Sequence, residues 1–170
     1  MAIKKTKPAQ IHASRRVLVD VAAQTMRVME GPAVVAEFPI STSRFGTGSE
    51  EGSFRTPSGR FVIHSKIGDG ARPWAVFRSR QDTGLTAGPG GDEDLVLTRI
   101  LTLDGLDADN ANSLQRYIYI HGTNQEDLVG TPSSHGCVRL RNADMIALYE
   151  MVSAGTPVTI TSPETPAVGA

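Results

Sequence analysis

The sequence predicts a mostly-β domain, a sandwich or barrel with one main helix near its C-terminal end. Three observations support this fold class. Short stretches rich in β-branched and apolar residues recur along the chain, and turn-forming glycine and proline residues separate them. Only one stretch clearly has its apolar residues at helical spacing. Many short strands with little helix are typical of sandwiches and barrels.

Eight segments are predicted as strands, at residues 16–21, 25–30, 33–40, 60–67, 74–80, 94–103, 116–122 and 156–161. Gly31 and Pro32 separate the second from the third, as in a hairpin. Residues 41–59 are rich in glycine and serine and are predicted as a long loop. The glycines in 81–94 predict a surface loop without a regular element, of the kind that often borders a binding site.

The predicted helix covers the stretch MIALYEMV, residues 145–152. Its apolar side chains fall on one face, namely Met145, Leu148, Tyr149 and Val152. Asn142 or Asp144 is expected to cap its N-terminus, and Gly155 is expected to end it. The sequence therefore places the only clear helix just before the last strand.

The 170 residues suit a single domain that can bury a core without disulfides. We predict an N-terminal flank at 1–13, the domain at 14–161 and a proline-rich tail at 162–170. With 17 basic and 18 acidic side chains, the net charge of -1 argues against nucleic acid or an anionic membrane as a partner. No window approaches the roughly 18 consecutive apolar residues of a membrane span. The sequence leaves the oligomeric state open.

The only cysteine, Cys137, lies in the stretch SSHGCVRL. A lone cysteine is more often a small buried apolar residue than a nucleophile. A nucleophilic thiol needs a base, donors for the oxyanion and a group that orients the base. His121 and His135 are the candidate bases, and a glycine follows each of them. Gly136 allows a tight turn whose bare amide groups could serve as the oxyanion hole.

Zinc binding is the alternative reading of the same residues. His121, His135 and Cys137 are all possible zinc ligands, but a tetrahedral site needs a fourth group. The spacing His-x-Cys also lacks the two-residue gap of common zinc motifs. We therefore predict no metal and no cofactor, and we assign no chemistry to His12 or His64.

Several motifs occur together in one order along the chain. They are TPSGRF at 56–61, YIHGTN at 119–124, Gly130, SHGCVRL at 134–140, Asn142, Asp144 and GTPVTI at 155–160. This ordered set resembles the L,D-transpeptidase catalytic domain, also called the YkuD domain, and the resemblance covers about residues 14–161. A single His-Gly-Cys would be a weak signal, whereas the ordered set is specific.

The resemblance implies roles for individual residues. Cys137 would be the nucleophile and His121 the base, with a backbone carbonyl such as that of Gly122 holding its second ring nitrogen. His135 and Gly136 would shape the turn and, with the Cys137 amide, bind the oxyanion. His135 is thereby also a catalytic candidate, although as a base it is the weaker choice.

Four further residues complete the implied site. Ser134 would orient the turn before the cysteine. Arg139 would anchor a substrate carboxylate, since its planar guanidinium can bind one with two hydrogen bonds. Tyr119 is a candidate substrate contact. Trp74, the only tryptophan, is more readily explained as a core residue than as a substrate contact, although the glycine-rich loop after it keeps a binding role open.

The implied activity is acyl transfer on the stem peptides of peptidoglycan, with roles in cell-wall biogenesis and cell shape. Cys137 would attack the carbonyl before a terminal D-alanine, and the amine of a diaminopimelate on a neighbouring stem would resolve the thioester. The same acyl-enzyme with water as acceptor would make the protein an L,D-carboxypeptidase, a hydrolase. The resemblance further implies acylation by carbapenems. A non-catalytic wall-binding module with the same fold is the alternative from another class.

The compartment follows from the resemblance alone. Members of the family usually act outside the cytoplasm, which implies the periplasm or cell envelope. The N-terminal stretch MAIKKTKPAQ is basic, but no apolar signal segment follows it. The sequence therefore leaves a cytoplasmic location open.

Overall fold

The computed structural model describes residues 14–163. The predicted flank at 1–13, which contains His12, and residues 164–170 of the predicted tail lie outside the described residues. The strands are β1 Arg15–Asp20, β2 Thr25–Glu30, β3 Ala33–Pro39, β4 Gly59–Ile67, β5 Ala75–Arg78, β6 Gln81–Thr86, β7 Val96–Gly105, β8 Tyr119–Gly122, β9 Val138–Leu140 and β10 Pro157–Thr161. Helix α1 covers Asn142–Met151, and short 3₁₀ turns lie at Ala108–Asn110 and Glu126–Leu128.

The predicted fold class, mostly β with one main helix after the cysteine, is confirmed. The ten strands form one open mixed sheet, whose main path runs β3-β2-β1-β10-β4-β7-β5-β6. The long strand β7 also pairs with β8, and β8 pairs with β9, so the sheet branches at β7. The branch carries both of the motifs that contain a histidine followed by glycine.

The centre of the main path joins distant parts of the chain. Strand β1 pairs in parallel with β10, with Val17 opposite Val158, and β10 pairs antiparallel with β4. The other strand pairs are antiparallel, except for the parallel pair β8 and β9. The second parallel pair brings the two motifs of the candidate site side by side.

Helix α1 packs its apolar face onto the sheet, as predicted. Its predicted core residues are all buried, namely Met145, Leu148, Tyr149 and Val152. They join one cluster with inward residues of β1, β2, β4, β7, β8 and β10. On β1, β4 and β10 these residues alternate with more exposed ones, whereas β7 and β8 are buried along most of their length. No helix among residues 14–163 is long and apolar enough to cross a membrane.

The predicted cap of the helix was wrong. Asn142 is the first helical residue and Arg141 precedes it without capping through its side chain. The carboxylate of Glu126 instead accepts a hydrogen bond from the Asn142 amide at 2.8 Å. A carboxylate satisfies a free amide of the first turn and interacts favourably with the helix dipole, wherever in the chain it comes from. The helix ends at Met151, before Gly155.

The prediction of a loop throughout 81–94 was also wrong, because its first six residues form β6. This strand lies at the edge of the sheet, pairs with β5 alone, and exposes every residue. The pairing passes from Thr86 opposite Ala75 to Asp82 opposite Phe77, so Gly84, at φ +78°, lies in a bulge. An exposed edge strand needs no apolar alternation, which is why the sequence pattern missed it.

Candidate active site

The pairing of β8 with β9 places the cysteine beside the strand that carries the first histidine. His121 lies opposite Arg139 and Ile120 opposite Val138, so Cys137 comes next to Tyr119 in the register. The amide of Tyr119 donates a hydrogen bond to Cys137 Sγ at 3.3 Å. Side chains two residues apart on a strand lie on one face of the sheet. Cys137 and His121 therefore share a face, one strand apart.

The imidazole of His121 is held in one tautomer. Its Nδ1 lies 2.7 Å from the carbonyl oxygen of Gly122, the kind of hydrogen bond that the family resemblance implies. A carbonyl can only accept, so Nδ1 carries the proton and Nε2 keeps its lone pair. The ring is only 2% exposed, and this burial lowers its pKa although the charge of Asp94 opposes the shift. His121 is therefore a neutral base at neutral pH.

Gly122 is required for a steric reason that the sequence did not reveal. A Cβ at this position would lie 2.5 Å from Asn142 Oδ1 and 2.9 Å from the carbonyl oxygen of Leu97. The amide group of Asn142 occupies this space, accepting from Thr98 Oγ1 at 2.5 Å and donating to the carbonyl of Thr123 at 2.7 Å. The start of α1 is thereby locked against the strand that carries His121.

The thiol of Cys137 is protonated at rest. Its sulfur is partly buried, accepts from the Tyr119 amide and donates to the Tyr117 carbonyl at 3.4 Å. Burial raises the pKa of Cys137 to about 12, and the hydrogen bond from Tyr119 offsets part of that effect. No hydrogen bond joins Sγ to the His121 ring among residues 14–163. The thiol proton is thus directed to the Tyr117 carbonyl and not to His121 Nε2.

The turn before Cys137 is held by hydroxyl groups. Ser134 Oγ donates to the carbonyl of Cys137 at 2.7 Å and accepts from the Gly136 amide at 3.3 Å. Thr56, from the TPSGRF motif, donates to the carbonyl of Gly136 at 2.9 Å. Gly136 has φ +127°, a conformation that favours glycine. The geometry suits the orienting role expected of Ser134, while the Gly136 amide is already engaged by a long hydrogen bond.

His135 points away from the thiol, toward the rim of the site. Its Nε2 lies 2.9 Å from Arg44 Nη2, and its Nδ1 lies 3.4 Å from Asp94 Oδ2. Because a guanidinium can only donate, Nε2 accepts and the proton lies on Nδ1. The rings of Phe45 and Phe54 flank the imidazole at 6.1 and 5.9 Å. Both nitrogens of His135 are thus engaged by groups other than Cys137, which favours His121 as the base.

Arg139 does not present a free guanidinium to a substrate, and this expectation needs correction. The side chain has no exposed surface. Its terminal nitrogens donate to four acceptors, namely Asp94 Oδ1 at 2.9 Å, Gln125 Oε1 at 2.7 Å, Ser133 Oγ at 2.5 Å and Ser41 Oγ at 3.3 Å. All four N–H groups of the terminal nitrogens are used, and Arg139 therefore connects the loops around the site through hydrogen bonds.

Tyr119 and Trp74 differ in position. Tyr119 is half-buried and lines a cavity of about 420 Å³ beside the cysteine. Trp74 is also half-buried but does not line that cavity. Its backbone has φ +66°, and its amide donates to Thr98 Oγ1 at 2.9 Å at the start of β5. Of the two, only Tyr119 therefore lies at the cavity beside the cysteine.

Asp94 connects the site, although no sequence motif marks it. Its carboxylate pairs with Arg139 and His135, and its charge acts on His121. Burial alone would raise the pKa of Asp94, but the charges of His121 and Arg139 and the hydrogen bonds from Arg139 and His135 outweigh it, so its pKa is lowered. Asp94 follows two other acidic residues in the sequence, and nothing local distinguishes it from them.

We expect Asp94→Asn to lower the free energy of unfolding by about 2–3 kcal/mol at pH 7, because it leaves the buried guanidinium of Arg139 without its counter-charge. Since the folded carboxyl has a lowered pKa, its contribution is complete above about pH 4 and is lost as the pH falls through that pKa. Urea unfolding of both proteins at pH 7 and pH 2.5 measures the difference. The exposed Asp127→Asn is the control, and equal stabilities at pH 7 would contradict the assignment.

Comparison with known proteins decides the family. The family model described as the L,D-transpeptidase catalytic domain, YkuD, matches residues 14–160. The chain belongs to this family. The family assignment predicted from the motifs is confirmed. The family name describes transpeptidases, which are acyltransferases. Among residues 14–163, no group of three His, Cys, Asp or Glu side chains could hold a metal ion.

Several proteins named as L,D-transpeptidases are similar to this chain in sequence or in fold. YkuD of Bacillus licheniformis is 27% identical over 149 residues, which are 86% of this chain and 65% of that protein. An L,D-transpeptidase structure from Mycobacterium smegmatis matches 88% of this chain and 59% of its own, at 24% identity and TM-score 0.59. The L,D-transpeptidase LdtMt1 in complex with imipenem matches 87% of this chain and 59% of its own, at 20% identity and TM-score 0.55. The chain thus spans about two thirds or less of these relatives.

Proposed function

We propose that the protein is an L,D-transpeptidase that acylates Cys137 with tetrapeptide stems of peptidoglycan in the cell envelope. The observation that carries the proposal is the His121 imidazole, whose protonated Nδ1 bonds the Gly122 carbonyl while Nε2 keeps a lone pair on the face of the sheet that holds the only cysteine. Membership of the family supports the reaction class.

The first half of the reaction forms a thioester. His121 Nε2 takes the proton of Cys137 as the sulfur attacks the carbonyl carbon that precedes the terminal D-alanine. The oxyanion that forms lies next to the turn at Gly136, where the Cys137 amide is a candidate donor. The carbon–nitrogen bond then breaks, the imidazolium returns its proton to the departing amine, and free D-alanine leaves.

The second half transfers the acyl group. A diaminopimelate amine of a neighbouring stem attacks the thioester carbonyl and gives its proton to His121. The carbon–sulfur bond breaks, the sulfur regains a proton, and a cross-link between two stems remains. Water in place of the amine would release a tripeptide stem, which is the L,D-carboxypeptidase reaction.

One incubation separates these outcomes. Purified protein is mixed with muropeptides that bear tetrapeptide stems, and the products are separated and weighed by mass spectrometry. Cross-linked dimers together with free D-alanine are the expected products. Tripeptide stems without dimers would replace the transpeptidase with the carboxypeptidase, and unchanged muropeptides would favour the non-catalytic wall-binding module.

A carbapenem is the direct probe of the nucleophile. A structure similar to this chain is an L,D-transpeptidase in complex with imipenem. We expect this protein to gain the mass of one imipenem molecule, attached to Cys137. This result requires no peptidoglycan acceptor, so it tests the nucleophile apart from the question of transfer or hydrolysis.

The pH dependence of acylation should follow His121. Because burial lowers the pKa of the imidazole and raises that of the thiol to about 12, the resting pair is neutral imidazole and neutral thiol. The rate should therefore fall at acidic pH with an apparent pKa below about 6.5 and stay level from about pH 7 to 9. Stopped-flow measurement with imipenem checks this profile. A steady rise through pH 8–9 would instead indicate thiolate formation without the base.

A further inference from the structure

The cavity beside the cysteine contains a cation that the mechanism does not use. The cavity has a volume of about 420 Å³, and its lining residues are Phe77, Ser79, Arg80, Val96, Ile100, Tyr117 and Tyr119. The thiol of Cys137 contacts the main chain of the two tyrosines that line it. The cavity is thus next to the sulfur, between the β5–β6 hairpin and β8.

Arg80 is the cation of this cavity, and no carboxylate neutralises it. None of the ion pairs among residues 14–163 includes it. Its charge nevertheless acts on the hydroxyl of Tyr119. Burial raises the pKa of that hydroxyl, Arg80 opposes the shift, and Cys137 adds to it. Arg80 therefore lies close enough to Tyr119 for its charge to act on the ring hydroxyl.

The backbone holds Arg80 in a conformation that costs free energy. Ser79 and Arg80 link β5 to β6 with φ +49° and +64°. Such two-residue hairpin turns are normally built from glycine, asparagine or aspartate, because other residues are strained at positive φ. Neither residue is of a preferred type. A strained turn that points an unpaired arginine at a cavity is typical of a functional position.

We propose that Arg80 binds a carboxylate of the acyl-donor peptide while Cys137 attacks the carbonyl carbon before the terminal D-alanine of that peptide. A guanidinium binds a carboxylate with two parallel hydrogen bonds, and Phe77, Val96 and Ile100 supply an apolar wall on which the alkyl part of the donor can pack. Arg139, the arginine that the motif suggested for this role, is buried, and both of its terminal nitrogens donate to protein acceptors. The identity of the peptide rests on the proposed function, whereas the preference for a carboxylate does not.

The first experiment tests this preference without peptidoglycan. Iodoacetate and iodoacetamide alkylate the same sulfur, displace iodide and differ in whether the reagent carries a carboxylate or a neutral amide. The ratio of their rate constants on Cys137 therefore cancels changes in thiol reactivity. We expect Arg80→Gln to lower the iodoacetate-to-iodoacetamide ratio about fivefold, and Arg80→Lys to lower it less.

Arg78→Gln is the matched control, because Arg78 lies in the same hairpin and is exposed but does not line the cavity. Its ratio should equal that of the unchanged protein. An unaltered ratio in Arg80→Gln, or an equal fall in Arg78→Gln, would overturn the proposal. Neither result bears on whether the protein cross-links stems.

The second experiment identifies the carboxylate. Donor tetrapeptides are prepared with an amide in place of either the D-alanine carboxylate or the free side-chain carboxylate of diaminopimelate. Arg80→Gln should lower kcat/KM at least fivefold for the unmodified donor, and should have no effect on the donor that lacks the carboxylate bound by Arg80. An equal loss on all three donors would contradict the assignment. Absence of turnover in the unchanged protein would instead refute the proposed function and leave the alkylation result standing.

Discussion

Replacement of Cys137 by alanine is expected to abolish covalent labelling by imipenem and all formation of dimers or tripeptide stems. Cys137 is the only cysteine of the chain, so no second thiol can replace it. The loss should be complete within the sensitivity of intact-protein mass spectrometry, since no step of the proposed reaction proceeds without the sulfur.

The fold should survive this change. Cys137 lies just before β9, and its side chain makes one hydrogen bond with each of two main-chain groups. We therefore expect the circular dichroism spectrum of Cys137→Ala to match that of the unchanged protein. A labelled Cys137→Ala protein would show that imipenem reacts with a different nucleophile and would remove Cys137 from the mechanism.

Replacement of His121 by alanine is expected to slow imipenem acylation by about 10²- to 10⁴-fold, the usual contribution of a general base. The resting thiol, with its pKa raised to about 12, contains almost no thiolate at neutral pH. Without Nε2 the thiol proton loses the neutral imidazole that is proposed to accept it. Single-turnover rates at pH 7.5 measure the effect.

His121→Ala also removes the donor to the buried Gly122 carbonyl, which could destabilise the fold. His121→Gln is the second variant, because its side chain retains amide donors but supplies no base. Both variants should lose acylation to a similar degree. His64→Ala, on the exposed face of β4, should react normally. A His121→Gln protein that is stably folded and acylated at the normal rate would exclude His121 as the base.

The regular part of the fold was predictable because its signals are local. Alternation identified the strands that bury one face, and helical spacing identified all four core residues around α1. The prediction of secondary structure failed where the local sequence pattern carries no information about it. Strand β6 is wholly exposed, β9 is three residues long with all three buried, and the helix is capped by Glu126 from a separate segment.

The candidate site was predictable only in part. Motif order identified Cys137 and His121, and the parallel pairing of their strands places them on one face. The environment of a charged side chain depends on residues that are distant in the chain, so Arg139 could not be recognised as buried from VRL alone. For the same reason the sequence does not reveal that Asp94 and Arg80 lie at the site, since both belong to segments without any motif.

The parallel pair β1 and β10 has a consequence for synthesis of the protein. The hairpins formed by β1, β2 and β3 are linked to β4 through β10 alone in the main path of the sheet. A nascent chain therefore completes the sheet between β1 and β4 only after residues 157–161 have left the ribosome. Until that moment the facing edges of β1 and β4 remain unpaired, and a truncation that removes these five residues would divide the main path of the sheet between β1 and β4.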